Sequence, residues 1–247
     1  ENKGKMESVD LAHTLVEGEL GPLQGHTALH TVDLRKSRVA GELSPLKDLK
    51  ELRRLYLGET DVTATLEPVA ELIRLERLDL AKTRVWGPLA PLEGLTKLET
   101  LSLHDTKLSG DWGAVQHLRR LESLHLSNTE ISGDLAAVRE LTQLQRLLAG
   151  GVKNIRGKLR SLEKLTMLSN LELPETQVSG NLSDISQLTW LKILDLRETR
   201  VSGNLEVVGS LTDLQVLNLR QTAVSGTVGD LAPRGWFGTK PLHSLDL

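Results

Sequence analysis

The chain has 247 residues, and its 30 Lys and Arg against 33 Asp and Glu give a formal net charge of −3. This near balance argues against a nucleic-acid protein held by a broad basic surface and against a polybasic membrane binder. The absence of cysteine excludes disulfides, thiolate nucleophiles, zinc–thiolate sites and iron–sulfur clusters. No apolar run approaches the roughly 18 residues that a membrane helix needs. We therefore expect no direct membrane insertion, and the charge balance leads us to expect no nucleic-acid partner.

The first predicted elements are short strands that recur along the whole chain. Each strand is marked by an anchor of two apolar residues around one central residue, which is strand periodicity. The spacing between successive anchors is 23 residues eight times, 24 once and 28 once. The eleven anchors occupy positions 9–11, 32–34, 55–57, 78–80, 101–103, 124–126, 147–149, 171–173, 194–196, 217–219 and 245–247.

Around each anchor the chain follows the pattern LxxLxxLxLxxTxVxGxLxxL. A unit this small cannot bury its apolar edge alone, whereas stacked neighbours bury it against one another. The sequence therefore predicts an α/β repeat solenoid that forms one domain over residues 1–247, with about 10–11 units and one continuous core. Because only 2% of the residues are aromatic, Leu, Val and Ile must fill that core.

The units resemble those of the leucine-rich repeat family. The segment 124–133, LHLSNTEISG, is similar to the plant-specific subclass, and its Ser-Gly pair recurs at 109–110, 179–180, 202–203 and 225–226. The resemblance implies a right-handed arch with parallel strands on its concave face and an irregular or short helical convex side. The Cys-containing end caps of that family are absent, so we expect the coil ends to be covered by flanking sequence or by another subunit.

A Thr or Ser stands where the family usually has Asn after the strand. Because a hydroxyl both donates and accepts, we predict a hydroxyl ladder that satisfies backbone groups between coils, with repeated phosphorylation sites as the alternative. A Gly follows in most units, where a tight coil needs wide backbone freedom. The hydroxyl residues are Thr14, Ser37, Thr60, Thr83, Thr106, Thr129, Thr176, Thr199 and Thr222.

Two irregular segments interrupt the period. The first carries one extra residue near 150–154, where two adjacent glycines suggest a bulge on the concave side. The second is a terminal loop at 232–241, five residues longer than the pattern needs. Its Trp236 and Phe237 form either an aromatic anchor for a partner or a cap tucked against the last coil.

The residues between the anchors predict polar columns along the concave face. Pairs such as Asp33 with Arg35 and Asp195 with Arg197 should point to this face and neutralise each other. The stretch from Tyr56 to His125 departs most from the regular pattern, and irregular positions are free for recognition. The predicted partner-binding residues there are Arg54, Tyr56, Arg77, Asp79, His104 and His125.

Little in the sequence points to an enzyme. His104 and His125 fall in adjacent coils and with Asp79 or Asp105 could hold a metal, but rows of exposed side chains often produce such neighbours. We predict no catalytic residue, metal or cofactor, and a protein–protein interaction scaffold that recognises or docks within a larger protein or complex. The alternatives are a receptor-type ectodomain that binds a peptide or glycan, and an architectural spacer in a large assembly.

Overall fold

A computed structural model describes residues 5–231 and 244–246 of the chain. The expected repeat solenoid is present: each unit is one coil with a strand on one side, a second short strand and a one-turn 3-10 helix. The first strands form an 11-stranded parallel sheet, here called the long sheet. Neighbouring strands pair in register with the period, so that Leu55 lies opposite Leu78 and Leu101 opposite Leu124.

The long sheet confirms the eleven predicted strands, and it follows the order of the chain from one edge to the other. Its strands are β1 (Ser8–Asp10), β3 (Thr31–Asp33), β5 (Arg54–Tyr56), β7 (Arg77–Asp79), β9 (Thr100–Ser102), β11 (Ser123–His125), β13 (Arg146–Leu148), β15 (Asn170–Glu172), β17 (Ile193–Asp195), β19 (Val216–Asn218) and β21 (Ser244–Asp246).

The second strands form two further parallel sheets, which the repeat pattern did not predict. Three of them make one sheet: β2 (Glu17–Glu19), β4 (Arg38–Gly41) and β6 (Asp61–Val62). Seven make the other: β8 (Trp86–Pro88), β10 (Lys107–Asp111), β12 (Glu130–Asp134), β14 (Asn154–Lys158), β16 (Gln177–Asn181), β18 (Arg200–Asn204) and β20 (Ala223–Ser225). A glycine within most of these segments lowers their strand propensity, and only the stacking of like segments pairs them.

The short helices confirm the predicted helical segments. In each unit the short helix follows the second strand and leads the chain back towards the next strand of the long sheet. The apolar residues of the helix face the core. Those in the described residues are η1 (Gly21–Leu23), η2 (Ser44–Leu46), η3 (Glu67–Val69), η4 (Ala90–Leu92), η5 (Trp112–Val115), η6 (Leu135–Val138), η7 (Leu159–Leu162), η8 (Leu182–Ile185), η9 (Leu205–Ser210) and η10 (Val228–Leu231).

The core is one continuous cluster along the stack, formed by the apolar positions of the repeat. In the fifth unit Leu98, Leu101, Leu103 and Leu108 are all fully buried, while Ser102 between two of them is partly exposed. Each coil therefore buries the apolar edge of its neighbour and leaves alternate strand residues on the outer face of the long sheet.

The hydroxyl residues after the strands act within a coil rather than between coils. In each of the nine units the Thr or Ser hydroxyl donates to the backbone carbonyl three residues earlier, at 2.6–2.8 Å. Thr129, for example, donates to the carbonyl of Leu126 and is only 8% exposed. This position does satisfy the backbone, as predicted, but it makes no ladder, and burial of the interior hydroxyls argues against phosphorylation there.

A hydroxyl ladder between coils exists elsewhere, at the serines of the Ser-Gly pairs. The Ser132 hydroxyl donates to the carbonyl of Gly110 in the preceding coil at 3.3 Å. Similar bonds join Ser179, Ser202 and Ser225 to glycine carbonyls of their preceding coils. The stacking role that the sequence suggested for Thr therefore belongs to Ser.

The extra residue near 150–154 lies in the turn between β13 and β14, not in the strand. β13 keeps its register with both neighbours, so the predicted bulge on the concave side is wrong. Gly151 has φ +73°, and Val152 is fully buried where other units place Thr. The neighbouring units also have a residue with positive φ at this corner, for example Asn128 at φ 56°, so the corner itself is unchanged. The extra residue is accommodated after Val152, just before β14.

The first coil exposes apolar side chains at the end of the stack. Met6, Leu11 and Val16 are about two-fifths exposed, and Leu15 is 78% exposed. A cover over this end therefore remains a prediction. Among residues 5–231 and 244–246, no helix is long and apolar enough to cross a membrane.

Candidate functional site

Five of the predicted binding residues lie on three strands of the long sheet, β5, β7 and β11, and His104 lies two residues after the end of β9, the strand between β7 and β11. In the register of β5 and β7, Arg54 lies opposite Arg77 and Tyr56 lies opposite Asp79. Ser102 of β9 lies between Asp79 on one neighbouring strand and His125 on the other. Arg54 and Arg77 are exposed, whereas the other four are partly buried. The strands thus bring these residues onto one continuous surface, here called the central face (outward residues of β5, β7, β9 and β11 and of the turns that follow them).

A self-neutralised pair borders the central face on β3, as the sequence predicted. The Arg35 guanidinium contacts both carboxylate oxygens of Asp33 at 2.9 and 2.5 Å, and its charged end lies 4.6 Å from the centre of the Tyr56 ring. Burial alone would raise the pKa of Asp33, but the hydrogen bonds and charge of Arg35 outweigh it and hold that pKa below its ordinary value. Asp195 and Arg197 form the second predicted pair, at 2.9 Å.

Asp79 occupies the same position of its unit as Asp33, but its environment differs. Its carboxylate accepts a hydrogen bond from the Ala81 backbone N–H at 3.1 Å. No ion pair to Asp79 forms among the residues that the structure describes. Burial is the largest influence and raises the pKa of Asp79, although the N–H of Ala81 and the charge of Arg35 oppose it.

A depression of about 250 Å³ opens beside Asp79. Gly58 and Ala81 were not among the predicted site residues. They leave this space because their side chains are small, whereas the corresponding position holds the larger Arg35 in the preceding coil and His104 in the following one. A Cβ added at Gly58 would lie 2.9 Å from an oxygen of Asp79. The sequence does contain a sign of this space: the segment 78–81 reads LDLA, whereas the equivalent segment 194–197 reads LDLR, with Arg in place of Ala. The depression is lined by His13, Arg35, Lys36, Gly58, Glu59, Asp79, Ala81, Ser102 and His104.

His104 and His125 stack on each other at the far side of the depression. Their ring centres are 3.8 Å apart and their planes differ by 17°. Burial lowers the pKa of His104, and burial together with the charge of His104 lowers the pKa of His125 to about 4. Nδ1 of His104 lies 3.1 Å from the Ser102 hydroxyl. The two imidazoles are therefore neutral at neutral pH and present an uncharged wall.

The sequence raised these histidines as metal ligands with Asp79 or Asp105. His104 Nε2 lies 3.9 Å from Oδ2 of Asp105, and the other carboxylate oxygen of Asp105 accepts a hydrogen bond from the Asn128 side-chain amide. In the described parts of the chain, no group of three or more His, Asp or Glu side chains is arranged to hold a metal ion.

We expect acidification to destabilise the fold through His125. Its pKa is about 4 in the fold against an ordinary value of 6.5, so its contribution is present above pH 6.5 and is lost as the pH falls towards 4. After allowance for partial exposure, the loss should be about 1–2 kcal/mol. Urea unfolding at both ends of this range measures it, and His125→Asn should remove it. The exposed His117→Asn should retain it, and equal behaviour of the two variants would contradict the assignment.

The aromatic pair of the terminal loop, Trp236 and Phe237, lies outside the described residues, so its two interpretations stay open. Two other tryptophans on the described surface, Trp86 and Trp190, are more than half exposed, whereas Trp112 is fully buried.

Solved structures show what this chain is similar to. The ectodomain of the Arabidopsis thaliana receptor kinase GASSHO1/SCHENGEN3, in complex with Casparian strip integrity factor 2, has a TM-score of 0.85 and 28% identity over 94% of this chain. The Arabidopsis receptor kinase HAESA ectodomain, in complex with an N-terminally extended IDA peptide hormone, has a TM-score of 0.79 and 25% identity over 87% of it. This chain spans only 29% and 38% of those two chains.

A bacterial structure shares the fold more distantly. An internalin from Listeria monocytogenes has a TM-score of 0.54 and 21% identity, with 92% of this chain and 84% of the internalin covered. No protein-family model matches the chain, and no curated protein sequence matches it significantly. Its period, its stacked parallel sheets and these structural relatives nevertheless agree. The chain is a leucine-rich repeat protein, and its units are consistent with the plant-specific subclass.

Proposed function

We propose that this chain is a non-enzymatic binding module that holds a protein or peptide segment across the central face. The main support is local. Beside the self-neutralised pair of Asp33 and Arg35, the central face carries Tyr56, Arg77 and a neutral histidine stack, together with Asp79, which has no ion-pair partner among the described residues. Aromatic and Arg side chains carry much of the energy at interfaces, and patterned charge selects partners.

The structural relatives support the same class of function. Two Arabidopsis ectodomains with this fold are complexes with a peptide hormone or a named factor. A receptor-type ectodomain therefore fits the chain at least as well as a docking subunit of a larger protein or complex. Both functions use a long face for recognition, and neither requires a catalytic group.

An architectural spacer is the remaining alternative. It is favoured only by the apolar side chains at the end of the first coil, including Leu15 and Val16. A spacer would join its neighbours through coil ends and would be indifferent to substitutions on the central face.

A displayed library of random peptides tests the proposal. Peptides selected on the native chain should lose at least about tenfold in affinity for the double variant Tyr56→Ala with Arg77→Ala. The control is Asn218→Ala with Arg220→Ala, which changes one partly buried residue of β19 and one exposed residue of the turn that follows it, both outside the central face. Unchanged affinity of the first variant, or failure to select any peptide, would reject the central face as a peptide site.

A further inference from the structure

Three units between the two end coils have an Asp at the centre of the strand anchor, and they differ in the residue that binds its carboxylate. Asp33 and Asp195 are each followed two residues later by an Arg that binds the carboxylate. Asp79 is followed two residues later by Ala81, whose backbone N–H donates to the carboxylate, and the hydroxyl of Ser102 also hydrogen-bonds to it. The unit of Asp79 therefore has the carboxylate but lacks the arginine that neutralises it in the other two units.

The loss of the arginine changes shape as well as charge. Ala81 and Gly58 occupy adjacent positions of the column that holds Arg35 one coil earlier and His104 one coil later. Together they leave the depression of about 250 Å³, with the Asp79 carboxylate at its side and solvent access from the outer face. Such a space admits the end of one long side chain and is far too narrow for a helix, which is about 10 Å across.

The other charges around the depression already have partners. Arg35 is bound to Asp33, and Lys36 and Lys82 both lie within 4 Å of Glu59. The stacked histidines add no charge at neutral pH. Within the described residues, Asp79 is thus the carboxylate lining this depression that has no ion-pair partner.

We propose that the depression beside Asp79 is a pocket for one cationic side chain, the guanidinium of Arg or the ammonium of Lys, donated by the bound segment. The cation takes the place that Arg35 and Arg197 occupy in their own units. The pocket then makes a basic residue a requirement for recognition at the central face. This inference deepens the proposed function, because it rests on that function for the source of the side chain.

A small probe tests the chemistry of the pocket without knowledge of the partner. We would titrate N-acetyl-arginine N-methylamide and its neutral isostere N-acetyl-citrulline N-methylamide into the chain and follow backbone amide resonances by NMR. The arginine probe should shift the signals of Gly58, Ala81 and neighbouring residues, and the citrulline probe should not. Equal shifts with the two probes, or none at these residues, would overturn the proposal.

A matched pair of variants assigns the effect to the carboxylate. Asp79→Asn should weaken the arginine probe at least about fivefold, whereas Asp195→Asn, at the same position of another unit, should leave it unchanged. Asp79→Asn should also unfold no more easily than the native chain at neutral pH. A raised pKa means that stability falls as the pH rises through that pKa, and a neutral Asn does not titrate. Retained probe affinity in folded Asp79→Asn would contradict the pocket.

The selected peptides separate this inference from the proposed function. Replacing the basic residue of a selected peptide by citrulline should weaken binding to the native chain about tenfold and leave binding to Asp79→Asn nearly unchanged. Peptides that need the central face but no basic residue would refute the pocket alone. Binding of the arginine probe without any selected peptide would refute the peptide site while retaining the pocket.

Discussion

Replacing Trp112 by Ala should lower the free energy of unfolding by about 3–5 kcal/mol, the cost expected for removing a large buried aromatic side chain. Trp112 is fully buried at the start of η5 and takes the place that Leu has in the next four units. Its indole N–H donates to the carbonyl of Asp134 in the next coil at 2.7 Å. The substitution therefore opens a cavity between two coils and leaves that carbonyl without its donor.

Trp86→Ala is the control for this experiment. The side chain of Trp86 is 53% exposed, so we expect its loss to change stability by no more than about 0.5 kcal/mol. Chemical unfolding of both variants measures the contrast. Similar stabilities of the two variants would show that Trp112 does not join the coils as the structure describes.

Gly157→Ala should cost about 2–4 kcal/mol, because the new side chain meets backbone rather than a flexible neighbour. Gly157 has φ +115°, and an ideal Cβ there would lie 2.8 Å from the backbone nitrogen of Leu135 and 2.7 Å from a carboxylate oxygen of Asp134. Neither coil can move aside without breaking the pairing of β12 with β14. Hydrogen exchange should accordingly show the loss of protection in those two strands first.

Gly94→Ala provides the matched comparison. Gly94 lies in a turn with open space around it and without a positive φ, so Ala should change stability by less than about 1 kcal/mol. If Gly157→Ala proved as mild as Gly94→Ala, the close approach of β14 to the preceding coil at Gly157 would be wrong. The result bears on function, because this packing sets the spacing of the strands that carry the central face.

The binding face and the stability of the fold make opposite demands on Asp79. A neutral side chain would suit its partly buried position better, since burial raises the pKa of the acid. The same unmatched charge is what a cationic partner would recognise. The Asp33–Arg35 pair shows how an ion pair can remove this cost, since Arg35 holds the pKa of Asp33 below its ordinary value. Asp195 is also paired, with Arg197, but burial still raises its pKa.

The amino-acid sequence by itself determined the architecture and the surface to examine. A spacing of 23 residues, with an anchor in every unit, dictates stacked coils because no single unit can bury its Leu residues. The alternation around Leu101 and Leu103 also decides that Ser102 faces outward, and the same argument placed Tyr56, Asp79 and His125 on one face. These inferences need only local periodicity, which a sequence displays directly.

Only the tertiary structure decided how residues of different coils meet. The period did not reveal that Ser132 rather than Thr129 bonds to the preceding coil, or that the Ser-Gly segments pair into further sheets. It also did not show that Gly58 and Ala81 open a depression beside Asp79, between Arg35 and the stacked His104. The physical reason is that such contacts join residues about one repeat apart, and their distances depend on how adjacent coils are offset, which the spacing of Leu residues does not encode.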